Sequence, residues 1–324
     1  MLAFLLRRGA QAVIVMLVIS LIGFSIQDNL GDPLRELVGQ SVSEAERDAL
    51  REELGLNDPF LVQYGRFLAG AVTGDLGTSY VFKRPALEVI LDKFPATFEL
   101  VLAAALIIVL VSVPAGIYCA VRPRSGLARG VMGASILGIS VPIFVTAILL
   151  IWVFAVELRW LPAFGRGDTV DILGWDTGLL TLDGLSHLVL PAVTLASIML
   201  PLFIRLIRAE MMEQLGRDYV RFARAKGLPA RVVRRHAFRN TLLPVVTVGG
   251  LQIGTLIAYT ILTETVFQWP GMGFLFLDAV NRVDTPLIIA YIIFVGLIFV
   301  VVNTIVDLIY TLINPMVKLP GERA

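Results

Sequence analysis

Charge is scarce in this chain: 16% of its 324 residues are Asp, Glu, Lys or Arg, against roughly 25% in soluble domains. Cysteine is scarcer. The single Cys119 excludes an intrachain disulfide, and with only two histidines in the chain no His/Cys metal site is expected. Lysine occurs four times, at Lys83, Lys93, Lys226 and Lys318, and none is followed by Ser or Thr. That excludes a GxxxxGK[ST] phosphate loop, and with it ATP hydrolysis by this chain on its own. No catalytic residue, metal ligand or bound cofactor is assigned. The net charge of +1 supplies no overall field to recruit nucleic acid.

What the chain has instead is apolar length. It is 57% hydrophobic, with a mean hydropathy of +0.82. A helix needs about 20 apolar residues to cross hydrocarbon. Six uncharged stretches meet or approach that: Gly9–Ile26, Leu100–Val121, Val131–Val156, Leu188–Ile204, Thr241–Thr263 and Leu287–Val306. The first resembles a signal peptide in length, but no small-x-small cleavage site follows it, so a retained span is expected.

The remaining charge alternates between the segments joining these stretches. Arg7 and Arg8 precede the first; Arg122, Arg124 and Arg129 lie between the second and third with no acid. Residues 27–98 hold twelve acids against seven bases, and residues 158–186 hold four Asp against Arg159 and Arg166. By the positive-inside rule this predicts six spans with both termini cytoplasmic. Trp160, Trp175 and Trp269 fall just outside predicted spans, where an aromatic belt is expected. Within 27–98, Ser43–Leu54 reads as a short charged helix, and Gly70, Gly74 and Gly77 as turn positions.

The densest cationic run is 205–239, with ten Lys or Arg against Glu210, Glu213 and Asp218. Each such cation costs about 2.5–3.5 kcal/mol at a bilayer centre, so the run lies in water, between the fourth and fifth spans. Arg217, Arg221 and Arg224 share one helical face; Tyr219, Phe222 and Ala223 share another. Gly227 suits a left-handed helix stop and Pro229 a first turn. The grammar predicts a short helix, a glycine turn, and a second short helix at about 230–239. On charge alone a plain topology signal is the favoured reading. No aromatic platform accompanies the bases, which weakens a nucleic-acid reading.

Polar residues inside the spans are candidates for a translocation path. In the fifth these are Gln252, Thr255, Tyr259 and Thr263, with Glu264 at its outer end; in the sixth, Asn303 and Asp307, four apart. Interhelical hydrogen bonding is the competing role for such groups. Pro114, Pro142, Pro191 and Pro201 are expected to kink spans.

The stretch Asp218-Tyr219-Val220-Arg221-Phe222-Ala223-Arg224-Ala225-Lys226-Gly227-Leu228 resembles the DYIRTARAKGL form of the EAA loop in permeases of bacterial binding-protein-dependent ABC importers. His236-Ala237-Phe238-Arg239-Asn240 and Leu243-Pro244 resemble the HALRN…LP that follows it. The likeness extends over nearly the whole chain. Leu54 to Pro59 with Gln63-Tyr64 resembles LGLDxP…QY; Gly74 to Ser79 resembles GDLGxS; Phe94 to Leu100 resembles LPATLEL; Glu264 to Gly273 resembles ETVFxWPGxG. Departures are Arg221 at the loop's glutamate, Leu30-Gly31-Asp32-Pro33 for PGDP, and Asn314-Pro315-Met316 for DPR.

The resemblance implies an all-α, six-span, type I importer transmembrane domain in the bacterial inner membrane. It implies that Arg217, Asp218, Tyr219, Arg221, Phe222, Ala223, Arg224, Ala225, Lys226, Gly227 and Leu228 form a coupling helix that docks on an ATPase subunit. The implied partners are a second permease, two ATPases using ATP and Mg, a periplasmic solute-binding protein and a di- or oligopeptide; nickel complexes, glutathione and opine-like solutes are alternatives. The expected divisions are a membrane helix (1–30), a periplasmic segment (31–98), a core permease domain (99–316) with its loop at 210–240, and a cytoplasmic tail (317–324). A secondary carrier or channel is the competing class. It predicts charged residues near the midplane, whereas these spans have uncharged centres. An intramembrane serine protease fails, because Gly133-Ala134-Ser135 is followed by Ile136 rather than Gly.

Overall fold

A computed structural model describes residues 2–30, 52 and 57–313, with side chains at 8–25, 52 and 57–309. Ten helices are described: α1 (Leu2–Leu30), α2 (Phe60–Val72), α3 (Ala86–Val121), α4 (Gly126–Ser140), α5 (Ile143–Leu150, continued as a π-helical segment over Ile151–Glu157), α6 (Leu182–Gly216), α7 (Asp218–Ala225), α8 (Ala230–Phe267), α9 (Met272–Asn281) and α10 (Thr285–Ile313). The helix expected at Ser43–Leu54 lies, apart from Glu52, outside the described residues, as do Gly31–Pro33 and residues 314–324.

Among the described residues, five helices are long and apolar enough to span a bilayer: α1, α3, α6, α8 and α10. The third span expected over Val131–Val156 is broken at Pro142, where a kink was expected, and more sharply than a kink implies. The chain there is two helices, α4 and α5, meeting at 111°, and they make a sixth span only if taken together. Pro142 explains the break. A proline pushes the residue before it out of helical geometry, and Val141 is extended at φ −91°, ψ 122°. The all-helical expectation also misses a small antiparallel hairpin, β1 (Val170–Ile172) and β2 (Trp175–Thr177), with Ile172 opposite Trp175. Large aliphatic side chains stand exposed along α1 (Val13, Ile14, Leu17, Leu21) and α3 (Leu102, Leu106, Val109, Leu110), the surface a hydrocarbon solvent requires.

The chain divides into two compact units, residues 1–95 with 270–301, and residues 96–269 with 302–324. In the first, Phe24 of α1 packs with Val89 and Ile90 of α3, Met272 and Leu275 of α9, and Leu287 and Ile288 of α10. The Phe24 ring lies 5.5 Å from both Phe60 and Phe67 of α2. One polar staple serves this core. Asp284, buried between α9 and α10, accepts from Ser79 Oγ (2.5 Å), Tyr80 N (3.1 Å) and Val81 N (3.2 Å). It fixes the turn 73–85, where Gly74 and Gly77 take positive φ as expected. Gly70 instead lies in the last turn of α2, its carbonyl accepting from Thr73 and Asp75. Burial, and secondarily the Asp284 carboxylate, pushes the Tyr80 phenol above its ordinary 10.0.

In the second unit α6 is the central helix. Leu188, Leu195, Ala196 and Met199 pack with Leu100 and Ala104 of α3 and Leu256 of α8. Gly116 lets α3 approach α6, since a Cβ there would sit 2.7 Å from Ile207. Trp269 does not join an aromatic belt. It is buried, and its Nε1 donates to Ala96 O at 2.9 Å; a buried indole needs such an acceptor. Trp175 packs edge-on against Phe98 at 5.7 Å, and only Trp160 of the three is largely exposed.

Asp284→Ala leaves a hydroxyl and two backbone N–H groups of the 73–85 turn without their acceptor. At about 1–3 kcal/mol for each unsatisfied group, thermal unfolding in detergent should show a loss of about 3 kcal/mol or more. Because its folded-state value is raised, Tyr80 contributes stability that is intact below pH 10.0 and declines as pH rises past it. Tyr80→Phe should flatten that decline in the same unfolding assay.

Candidate functional site

The cationic run forms an elbow between α6 and α8. Arg217, extended at φ −69° and ψ 153°, ends α6 and starts α7. α7 has Asp218 in its first turn and Arg224 in its last, matching the helix dipole at both ends. Gly227 closes it at φ +73°, with its N–H on Arg224 O (2.9 Å) and Leu228 N on Ala223 O (3.2 Å). Pro229 then begins α8. The separate helix expected at 230–239 is corrected: α8 runs unbroken from Ala230 to Phe267 through Pro244. No Gly or Pro lies between Ala230 and Leu243 to stop it, and once in hydrocarbon a helix is what satisfies its backbone.

A single side chain pins the elbow. Val220 is fully buried among Ile207 and Met211 of α6, Val233 and Ala237 of α8, and Ala120 of α3. Ala223, one turn on, packs at the edge of this cluster. Phe222 does not share the partial burial of Ala223, with which helical spacing grouped it. It is 62% exposed, with Lys226 Nζ 4.5 Å from its ring centroid, a cation–π pairing. Val220 is the residue sequence reasoning missed; its i, i+3 relation to Ala223 was the available signal.

Two hollows flank α7. One, of about 290 Å³, is lined by Tyr219, Ala223, Leu228, His236, Arg239 and Asn240. The other, of about 590 Å³, is lined by Val121, Pro123, Leu215, Arg224, Ala230 and Arg234. The bases are exposed. Arg217 pairs with Glu213, and Arg221 with Asp218 at 3.4 Å; exposed pairs of this kind contribute about 0–1 kcal/mol. Tyr219 OH donates to Gln214 at 2.9 Å. Asp218, Arg224, Ala225, Lys226, Gly227 and Leu228 are all exposed.

The path candidates differ in burial. On α8, Thr255 is exposed, Gln252 and Tyr259 are half-buried, and Thr263 and Glu264 are buried. Thr263 Oγ1 donates to Tyr259 O (3.0 Å), and Glu264 accepts from Thr97 Oγ1 (2.6 Å). Asn303 and Asp307 are half-buried on α10, which approaches α8 at Gly250, where a Cβ would meet Val306 at 2.6 Å.

At the other end of α6 stands a second polar cluster. Thirty-five residues at about 1.5 Å each put it about 52 Å from the elbow. Glu99 of α3, buried, pairs with Arg166 at 2.9 Å and accepts from Gly178 N. Thr181 Oγ1 donates to Asp168 O (2.6 Å), and Asp168 N to Asp183 (2.8 Å). These bonds anchor the base of the β1–β2 hairpin.

The arrangement is that of a multi-pass membrane subunit gripping a cationic elbow at one end. The chain belongs to the family of binding-protein-dependent transport system inner membrane components, which it matches over residues 112–319; residues 1–101 match the N-terminal family of such membrane components. It is similar to the dipeptide transport system permease protein DppB of Alkalihalophilus pseudofirmus, 39% identical over 98% of this chain and 100% of the relative. It is 38% identical to the Escherichia coli K12 protein of the same name, over 98% and 99% of the two chains. The oligopeptide transport system permease protein AppB of Bacillus subtilis is 36% identical over 98% and 100%. The protein is thus a multi-pass inner-membrane permease subunit of an ABC transporter and not an enzyme, the ATPase being a separate subunit.

Val220→Ala should lower stability by about 1–3 kcal/mol through the cavity it leaves. Phe222→Ala, on an exposed position, should change it by no more than about 0.5 kcal/mol. Chemical denaturation followed by tryptophan fluorescence measures both.

Proposed function

We propose that this permease imports di- and oligopeptides in an ATP-driven complex, and that α7 is the helix through which the separate ATPase moves it. The cargo class rests on the relatives, whose names are those of dipeptide and oligopeptide systems. The coupling role rests above all on one observation: α7 is locked to the bundle by Val220 while it holds Phe222 out in water.

An exposed aromatic collared by Arg and Lys is the type of anchor that fills a pocket on a partner protein. Arg217, Asp218, Tyr219, Arg221, Phe222, Ala223, Arg224, Ala225, Lys226, Gly227 and Leu228 form the docking surface. Because Val220 ties α7 to α3, α6 and α8 at once, a push on α7 displaces those helices together. Both termini and the elbow lie on the cytoplasmic side. ATP and Mg are used by two ATPase partners, a second permease completes the path, and a periplasmic solute-binding protein delivers cargo. Thr255, Gln252 and Tyr259 reach the surface of α8 and are the favoured path-lining groups; Thr263, Glu264, Asn303 and Asp307 are further candidates.

Gly227→Val places a β-branched residue at φ +73°, a strain of about 1–2 kcal/mol that does not unfold a protein of ordinary stability. Gly227→Val and Ala223→Glu should each abolish uptake of a labelled dipeptide and lose ATPase co-purification, with membrane insertion unchanged. Normal uptake by both variants contradicts the coupling assignment.

A further inference from the structure

The larger hollow beside α7, of about 590 Å³, has walls of two kinds. Ala120 and Val121 at the end of α3, Leu215 at the end of α6 and Val233 at the start of α8 make an apolar floor. Arg224 and Arg234 make a cationic wall. Among the described residues neither guanidinium pairs with a carboxylate; the elbow's ion pairs join Arg217 to Glu213 and Arg221 to Asp218. The sequence offers no other acid close by. Residues 100–156 and 219–263 contain no Asp or Glu, and they hold every lining residue except Leu215. The acid nearest Leu215 along the chain, Glu213, is the one that Arg217 takes.

Both arginines are free to bind. Arg234 Nε donates to Ala230 O at 3.2 Å, which leaves both terminal nitrogens of its guanidinium for a ligand. Arg224 follows Phe222 by two residues, about 200° round α7, so it lines the hollow while Phe222 does not. The hollow also stands at the level of the membrane surface. Pro123, on its edge, belongs to the turn between α3 and α4, which carries the exposed Arg122 and Arg124. That turn is flanked by the apolar end of α3 and by Leu127, which is 63% exposed at the start of α4. A short basic turn between two apolar helix ends lies where hydrocarbon gives way to water.

We propose that this hollow binds the headgroup of an anionic phospholipid of the inner leaflet. The phosphodiester lies between Arg224 and Arg234, whose planar forks match phosphate oxygens. The glycerol and first methylenes lie on the floor made by Ala120, Val121, Leu215 and Val233. A bare phosphate has nothing to place on that floor, and a neutral lipid does not answer two cations without acids. The bound lipid bridges α3, α6, α7 and α8, the four helices that Val220 joins from within. The site rests on the cytoplasmic placement of the elbow proposed above and not on its coupling role.

The test uses the transporter purified in detergent, with native mass spectrometry of the permease as the readout. The probes are dioctanoyl phosphatidylglycerol, dioctanoyl phosphatidylcholine, whose choline cation the arginines repel, and inorganic phosphate. Phosphatidylglycerol should bind about 10-fold or more tightly than phosphatidylcholine, and Arg224→Gln with Arg234→Gln should remove that preference. Arg231→Gln with Arg235→Gln takes the same charge from exposed positions of α8 outside the hollow and should keep it. Equal binding of the two lipids by the unaltered protein overturns the site. An equal loss in both double variants also overturns it, assigning the preference to the general positive field. Inorganic phosphate binding as tightly as phosphatidylglycerol overturns the lipid as occupant in favour of a soluble anion. ATPase co-purification, scored on the same preparations, separates this site from coupling. Unaltered protein that keeps the lipid preference without ATPase subunits upholds the site and contradicts the coupling assignment; ATPase subunits without the lipid preference do the reverse.

Discussion

A guanidinium in hydrocarbon is the constraint from which the rest of this structure follows. Ten cations within 205–239 cannot be lipid-facing, so the chain must bring that stretch into water and then return to the membrane. It does so by ending α6 at Gly216, turning through eight helical residues, and re-entering on α8. An excursion driven by charge alone would be a loose loop. Val220 makes it something else. One buried valine, shared among α3, α6 and α8, turns a solvated basic segment into a rigid projection of the bundle. The function proposed for α7 depends on this division of labour between what lipid excludes and what the bundle grips.

The two ends of α6 carry opposite signs. Toward the elbow, arginines stand exposed with few acids; toward the hairpin, carboxylates outnumber bases and the half-buried Arg166 is committed to Glu99. A buried pair of this kind adds little net stability against an apolar alternative, but losing one partner is costly. It therefore serves best as a positional clamp. The same logic applies to Asp284, which spends its acceptors on the 73–85 turn. Both clamps hold surface segments in fixed poses at helix ends, where aliphatic packing alone specifies position poorly.

What could be read from the sequence was whatever depends on composition summed over a helix. The apolar lengths located five spanning helices, the cationic run located the elbow, and Gly227 and Pro229 marked its stop and its restart. What could not be read depended on single contacts or on tertiary context. Pro142 was legible as a kink, but not that the bend would reach 111° and divide one predicted span into two helices. Trp269 looks like a belt residue by position but finds Ala96 O inside the core. The extent of α8 was hidden because basic and apolar stretches look like separate elements, although helical hydrogen bonding is indifferent to that change. Within the elbow, helical spacing grouped Phe222 with Ala223; the i, i+3 relation of Val220 to Ala223 was equally available, and the packing of α6 and α8 decides between them in favour of Val220. The hairpin, six strand residues in an otherwise helical chain, lies below the length at which periodicity is informative.

The central claim is that α7 presents Phe222 to a cytoplasmic ATPase while Val220 fixes the helix to the bundle. Cys119 is buried and free, so it leaves the surface clear for a photo-cross-linker placed at position 222 in inverted membrane vesicles containing the assembled transporter. The account predicts a covalent adduct with the ATPase subunit, and its loss when Val220→Asp unpins the helix. A cross-linker at 222 that captures only lipid, or that is reached solely from the outer face of the membrane, would contradict it.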